Sequence, residues 1–208
     1  MAIITDIKLQ KSKTRANIYI DHNFCCGLDL ATILKNKLKV GSDITEEALL
    51  KIQKEAEMHE ATEKALSLLE RQKYTKQRLS LKLKEKGYMD ELVEEVIEKL
   101  SGYGYVNNID YIKSFIQSHP NKSRKEIERD LYAKGVSRNE IEEYYNLQEE
   151  TASEQDKCDT VAEKYMKNKE KNEANAKKLL SHLMYKGFSY GDAKSSLSKI
   201  FDIEVNDD

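Results

Sequence analysis

Lys86-Gly87-Tyr88, Lys134-Gly135-Val136 and Lys186-Gly187-Phe188 are three versions of one signal that recurs along this chain of 208 residues. Each glycine lies four residues after a leucine and twelve residues after a helix-capping type of residue, at Thr75, Ser123 and Asn175. The glycines are 48 and 52 residues apart, a period typical of stacked supersecondary units. The sequence therefore predicts three tandem repeats.

Each repeat is predicted to contain three short helices, because apolar residues recur at helical spacing on both sides of the capping residue and after the glycine. The second helix ends at the glycine, which can take a left-handed conformation without a Cβ clash. The third helix starts at Asp90, Ser137 or Ser189. We expect reciprocal capping boxes at Ser123 with Glu126 and at Ser137 with Glu140. The residues assigned structural roles are Gly87, Gly135, Gly187, Thr75, Ser123 and Asn175.

The N-terminal part of the chain has a different pattern. Residues 3–9 and 17–20 are rich in β-branched side chains, and a polar turn at 21–23 precedes a further apolar stretch at 24–28. These features predict a small antiparallel sheet of two or three strands. Thr45 then begins a helix that runs toward Gln72, with a break near Met58.

The predicted architecture is mainly α, with three tandem three-helix repeats forming an elongated, curved molecule and a small N-terminal antiparallel β segment. The boundaries are 1–56 for the N-terminal β-hairpin and helix extension, 57–104 for repeat 1, 105–148 for repeat 2, and 149–208 for an acidic connector with repeat 3. The connector, at 148–156, contains four acids and little apolar content. It predicts a hinge about which repeat 3 moves.

Composition excludes several classes of protein. The chain is 39% hydrophobic and 35% charged, with a net charge of −2, which is typical of soluble helices with a large surface. Neither a signal peptide nor an apolar run of about 18 residues is present, so we expect a cytoplasmic protein. Three cysteines make no even framework, and the adjacent pair, Cys25 and Cys26, is predicted to point to opposite faces of a strand.

The sequence contains no motif for common catalytic or cofactor chemistry. It has no Walker loop, dinucleotide fingerprint or nucleophile elbow, and its four histidines lack metal-ligand spacing. We therefore expect no enzyme activity, no cofactor and no catalytic or metal-binding residue.

Basic residues recur between the apolar positions of the second helices. These candidate partner-binding residues are Lys76, Arg78, Lys82, Lys84, Lys86, Lys122, Arg124, Lys125, Arg129, Lys134, Lys177, Lys178 and Lys186. One interpretation is that they only solubilise the helices and complement the helix dipole. The other is that a repeated basic face meets an acidic protein surface or a phosphate backbone.

One stretch resembles the signature of a known family. Residues 92–100, Leu-Val-Glu-Glu-Val-Ile-Glu-Lys-Leu, are followed by Tyr105-Val106-Asn107-Asn108 and then by Tyr111, Ser114 and Phe115. This pattern resembles the RecX family, and the resemblance covers about residues 60–200, including the three repeats. Many members have two aspartates where this chain has Asn107-Asn108, a change that keeps a turn or cap but removes two charges.

The resemblance implies tandem three-helix repeats that modulate the RecA recombinase, usually by inhibition, through binding in the groove of its filament on single-stranded DNA. Our first hypothesis is a non-enzymatic, monomeric regulator of the RecA–DNA filament that does not bind membranes. Alternatives are a single-stranded nucleic-acid-binding module and a generic helical adaptor. The net charge argues against a dedicated DNA binder, which normally has a basic excess.

Overall fold

The computed structural model describes residues 2–11, 13–147 and 153–201. Its strands are β1 (Ala2–Leu9), β2 (Arg15–Ile20), β3 (Asn23–Asp29) and β4 (Asp43–Ile44). Its helices are α1 (Leu30–Lys35), α2 (Glu46–Leu69), α3 (Lys76–Lys84), α4 (Asp90–Gly102), α5 (Asn108–Ser118), α6 (Arg124–Tyr132), α7 (Arg138–Asn146), α8 (Glu154–Met166), α9 (Glu173–Tyr185) and α10 (Tyr190–Phe201). The predicted mainly helical class with an N-terminal antiparallel sheet is confirmed.

The chain divides into two compact units. The first comprises residues up to 72 together with 79–105, and the second comprises 73–78 together with the described residues from 106 onward. The first turn of α3 therefore belongs to the second unit, and the rest of α3 belongs to the first.

The sheet of the first unit has the order β3-β2-β1-β4, and all its pairs are antiparallel. β4 is short and pairs Ile44 with Ala2. On the inner face, Ile4, Ile18 and Leu28 are buried in one core with Leu49 of α2. The sheet is therefore anchored to the start of the long helix.

The two adjacent cysteines lie on the same face of β3, which corrects the prediction of opposite faces. Ile18 pairs with Cys26 and Tyr19 pairs with Phe24, so Cys25 is an extra residue in a β-bulge. Such an insertion interrupts the alternation of side chains along a strand. Both cysteines consequently pack against the core of the sheet, and burial raises the pKa of the Cys25 thiol to about 11.

Helix α2 is continuous over 24 residues, without the predicted break near Met58. Thr45 caps it by accepting a hydrogen bond from the Ala48 amide, and two acids occupy its first turn. Its beginning packs under the sheet, and its later residues Ala61 and Ala65 are fully buried. One helix thus serves both the N-terminal segment and repeat 1.

Each repeat contains three helices, as predicted. The core of repeat 2 gathers Ile112, Ile127 and Leu131 from α5 and α6 with residues of α7, and repeat 3 has a separate core built from α8, α9 and α10. The helices of repeats 2 and 3 are 9 to 13 residues long. Helices of this length are marginal alone, so packing holds them.

The three repeat glycines end their helices in the same way. Their φ angles are +92° at Gly87, +79° at Gly135 and +90° at Gly187. In repeat 1 the Gly87 amide donates to the Lys84 carbonyl and the Tyr88 amide donates to the Leu83 carbonyl, and both bonds recur in the other two repeats. This is the Schellman arrangement, which uses carbonyls that a helix end leaves unpaired.

A contact that we call the repeat joint connects the start of one second helix with the glycine turn of the next repeat. The Thr75 hydroxyl donates to the Lys134 carbonyl at 2.6 Å, and the Ser123 hydroxyl donates to the Lys186 carbonyl at 2.7 Å. Both hydroxyls also cap their own helices by accepting the amide three residues on. Thr75 and Ser123 are 0% exposed, so each buried hydroxyl uses its donor and its acceptor.

A second hydrogen bond recurs at each repeat joint. The Lys76 amide donates to the Asn108 side-chain oxygen and the Arg124 amide donates to a Glu154 carboxylate oxygen, both at 3.0 Å. In each case the donor is the first residue of a second helix. The acceptor is the first residue of the helix that opens the next repeat. Two otherwise unpaired helix-terminal groups are thereby satisfied at each joint.

Two capping predictions need correction. Helix α9 begins at Glu173 with Asn172 as its cap, so Asn175 lies in the first turn instead of preceding the helix. Ser123 accepts the Glu126 amide but no reciprocal box forms, because the Glu126 carboxylate faces the cations of Lys122, Arg129 and Lys186. The box at Ser137 and Glu140 is present.

The connector is only partly described, since residues 148–152 lie outside the described residues. Its last part caps and begins α8, where Ser153 accepts the Gln155 amide. Glu154 and Lys186 tie repeat 3 to α6 through the second repeat joint. Movement of repeat 3 about the connector stays a prediction.

Gly135→Ala should destabilise the protein more than Gly87→Ala. Both add a Cβ at a positive φ, which costs about 1–2 kcal/mol. At Gly135 the new Cβ would also lie 2.5 Å from the Gln77 Cβ, whereas at Gly87 nothing lies within 4 Å. Overpacking of this kind adds about 1–3 kcal/mol. Urea unfolding of the two variants measures the difference, and equal losses would contradict the repeat joint.

Candidate partner-binding surface

The predicted basic residues of repeat 1 lie on and just after α3. Lys82 pairs with Glu85 at 2.6 Å and Lys84 pairs with Asp90 at 3.0 Å. Arg78 and Lys86 are exposed and take part in no such pair. The Lys76 side chain is also exposed, while its amide is held in the repeat joint.

The basic residues around α6 are mostly engaged inside the protein. Lys122 binds Asp130 and holds the pKa of that carboxyl below its usual range. Arg124 pairs with Glu128 at 2.8 Å, and its guanidinium lies 4.2 Å from the centre of the Tyr145 ring. Burial raises the pKa of Tyr145 to about 12, so its ring is neutral beneath the cation.

Glu126 organises the remaining charges of this region. Its carboxylate is 9% exposed and lies 3.4 Å from Lys186, 3.9 Å from Lys122 and 4.0 Å from Arg129. The Lys134 ammonium lies instead over the Phe115 ring, 5.5 Å from its centre. Lys134 takes part in a repeat joint through its carbonyl, and Lys186 does so through both its carbonyl and its ammonium. The sequence did not predict this role.

In repeat 3 the basic residues adjoin aromatic rings. Lys177 pairs with Glu173 at 2.6 Å, and Lys178 is exposed beside a shallow depression lined by Tyr165, His182 and Tyr185. Tyr165 and His182 stack with their ring centres 4.6 Å apart. Burial, followed by the charges of Lys186 and Lys169, lowers the pKa of His182, so the stacked imidazole is neutral at physiological pH.

The thirteen candidates thus fall into those that contact an acid or a ring of the protein and those that do not. Among the thirteen, and within the part of the chain that the structure describes, five exposed cations have no acid within 4.0 Å: Lys76, Arg78, Lys86, Lys125 and Lys178. Each lies on a second helix or at its end, and every repeat contributes at least one. We call these five the free cations. They are the members of the predicted set whose charge is available to a partner.

Two other kinds of site are not found in the described residues. Across 2–11, 13–147 and 153–201, no three or more His, Cys, Asp or Glu side chains are grouped so as to hold a metal ion. No described helix has the length and apolar character needed to cross a bilayer.

Comparison with known proteins identifies the family. The family model for the RecX N-terminal domain matches residues 2–45, and that for the first RecX three-helix domain matches residues 61–100. Regulatory protein RecX of Clostridium tetani is 30% identical over 203 residues, which cover 95% of this chain and 94% of that protein. The chain belongs to the RecX family. Regulatory protein RecX of Clostridium beijerinckii is 29% identical, and the alignment covers all of both chains.

Solved structures support the same fold. A crystal structure of regulatory protein RecX is 23% identical, with a TM-score of 0.67, and the match covers 97% of this chain and 99% of that one. The crystal structure of RecX from Lactobacillus salivarius is 24% identical, with a TM-score of 0.60, and the match covers 70% of this chain and 97% of that one. The helical repeat architecture is therefore that of solved RecX proteins.

In this RecX-family chain the pair Asn107-Asn108 has two distinct roles. Asn107 caps α5 by accepting the Ile109 amide. Asn108 is 5% exposed; its oxygen accepts the Lys76 amide, and its side-chain nitrogen donates to Glu140 at 2.8 Å. Burial works to raise the pKa of Glu140, but hydrogen bonds from Ser137 and Asn108 outweigh it and hold that pKa below its usual range. Position 108 therefore requires a donor as well as an acceptor.

Asn108→Asp should destabilise the protein by about 2–3 kcal/mol at pH 7, because two carboxylates would meet where a hydrogen bond is now made. The repulsion raises the folded-state pKa of the pair above the unfolded values of about 4. The penalty is therefore full above the raised pKa, declines as the pH falls from the raised pKa toward about 4, and is absent below about 4. Urea unfolding between pH 4 and pH 8 measures it.

Glu140→Gln provides the matched rescue for that variant. Glutamine can still accept from Ser137 in the capping box, and its amide can donate to Asp at position 108. The double variant should recover most of the stability at pH 7. Failure to recover would show that the loss does not come from the contact with Glu140.

Lys125→Glu should leave the free energy of unfolding within about 0.5 kcal/mol of the unmodified protein, because this exposed free cation has no acid partner. Arg124→Glu should cost about 1–2 kcal/mol, since it loses Glu128 and the Tyr145 ring and sets like charges on one helix face. Urea unfolding distinguishes them. Equal effects would contradict the division between engaged and free cations.

Proposed function

We propose that this chain is a non-enzymatic regulator of the RecA recombinase that binds the RecA–DNA filament and inhibits its assembly, strand exchange and ATP hydrolysis. The observation that carries the proposal is family membership along nearly the whole chain, with relatives named regulatory protein RecX. Its setting is recombination and DNA repair in the cytoplasm, and the chain acts as a monomer.

The arrangement of charge supports contact with a repeating partner. Each of the three repeats presents at least one free cation at its second helix, and the other candidate cations are largely occupied by internal acids and rings. A partner that repeats its acidic or phosphate groups along its length would meet these charges in turn. A filament of recombinase subunits on DNA has that property.

A second candidate function is binding to single-stranded nucleic acid, and one observation favours it. Tyr185 is 78% exposed next to the stacked pair of Tyr165 and His182, and Lys178 lies at the same depression. In proteins that bind single-stranded nucleic acid, unpaired bases stack on exposed aromatic rings and nearby cations contact the phosphates. The net charge of −2 weighs against nucleic acid as the sole partner.

The deciding experiment titrates the protein against preformed RecA filaments while single-stranded DNA is saturating. A regulator that acts on RecA should inhibit DNA-dependent ATP hydrolysis in proportion to its measured association with RecA. Lys125→Glu combined with Lys178→Glu should weaken inhibition and association together, and Lys177→Glu serves as the matched control because Lys177 already pairs with Glu173.

Salt separates the two candidates. A competitor for DNA that neutralises about six phosphates should lose roughly 10³-fold or more in affinity between 50 and 200 mM salt. A protein contact with a few charges should weaken less and should persist without free DNA. If excess DNA abolishes inhibition and no association with RecA is measurable, the nucleic-acid function replaces the regulator.

A further inference from the structure

The repeat joint is a recognition geometry that the chain uses twice. In each case a buried Ser or Thr at a helix N-terminus donates to the carbonyl of the lysine before a repeat glycine. The residue two positions after the cap then packs where that glycine lacks a side chain. At Gly135 this residue is Gln77, and at Gly187 it is Lys125, whose Cβ lies 3.0 Å from the position of an added Cβ.

The same turn in repeat 1 has no occupant. Gly87 has the same helix-ending hydrogen bonds and a φ of +92°, but nothing lies within 4 Å of an added Cβ. Among the described residues, none donates a hydrogen bond to the Lys86 carbonyl. Lys86 is a free cation, and the neighbouring Met89 is 68% exposed. The Lys86 carbonyl and the space beside Gly87, which are filled at the two repeat joints, are therefore open to solvent in repeat 1.

We propose that the turn at Lys86 and Gly87 docks the N-terminus of a helix belonging to the protein partner. That helix begins with Ser or Thr, whose hydroxyl donates to the Lys86 carbonyl. The side chain two positions later packs against Gly87. An acid in its first turn pairs with the Lys86 ammonium, as Glu126 pairs with Lys186 at 3.4 Å. The proposal rests on the proposed function, since RecA is the partner to which it commits.

Helix α9 of a second copy does not match the two helix ends that form the repeat joints. Helix α9 is the repeat 3 counterpart of α3 and α6, and Asn175 stands in place of Thr75 and Ser123. Helix α9 also starts earlier, at Glu173, so the aligned residue, Asn175, lies inside the helix and is not its cap. Helix α9 of a second copy therefore does not reproduce the joint at this turn.

Gly87→Asn tests the proposal with little cost to the fold. Asparagine tolerates the left-handed conformation, and its side chain would fill the space that a docked helix needs. Gly104→Asn is the matched control: Gly104 lies in the same unit, has a φ of +76°, ends α4 with the same pair of hydrogen bonds, and has nothing within 4 Å of an added Cβ. Urea unfolding of both variants checks that any fold penalty is shared.

The measurement is the equilibrium association of each variant with RecA filaments on saturating single-stranded DNA. Gly87→Asn should weaken association about tenfold or more, as the loss of a central interface contact does, and Gly104→Asn should leave it unchanged. Unchanged association for Gly87→Asn, or an equal loss for both variants, overturns the docking proposal alone. If the unmodified protein does not associate with RecA, the proposed function and the docking proposal fail together.

Discussion

At each repeat joint one hydroxyl oxygen both caps its own helix and hydrogen-bonds to the glycine turn of the next repeat, and the packing of the second unit depends on this group. Thr75 and Ser123 accept an amide from their own helix and donate their proton to the carbonyl of a lysine 59 or 63 residues later in the chain. An ionised aspartate caps a helix as well as serine does, but it has no proton to donate. The lysine carbonyl is accessible only because a glycine turns the chain directly after it. Capping, chain reversal and the stacking of repeats are therefore consequences of one local geometry.

The sequence predicted whatever is repeated and local. The glycine turns, the capping box at Ser137 and the three helices per repeat follow from spacing along one segment. Two of the errors arise because residues distant in the sequence alter the local arrangement. Glu126 does not complete a box because Lys186, from the next repeat, lies beside its carboxylate. Cys25 and Cys26 share a face because the pairing of β3 with β2 skips a residue, and a single strand carries no sign of that skip.

The sequence could predict that basic residues cluster at the second helices, but not which of them are free to bind a partner. Spacing placed thirteen cations on or beside the second helices. It could not show that Lys122 would bind Asp130 or that Arg124 would lie over Tyr145, because those partners are fixed by helix packing. The cations that remain free are those whose neighbours happen to lack an acid. Net charge near zero is then compatible with a basic interaction surface, since seven of the thirteen candidate cations pair with acids of the chain and the free cations remain at the second helices.

Because α2 is unbroken, it fixes how the sheet and repeat 1 of the first unit are rotated relative to each other about the helix axis. Leu49 near its start lies in the core under the sheet, and Ala61 and Ala65 farther along are fully buried. Each residue of an α-helix advances 1.5 Å along the axis and turns about 100° around it. One residue inserted between these two buried stretches would swing the sheet through more than a quarter of a turn relative to repeat 1. The number of residues in this segment of α2 is consequently as constrained as their identity, although many of their side chains face only water.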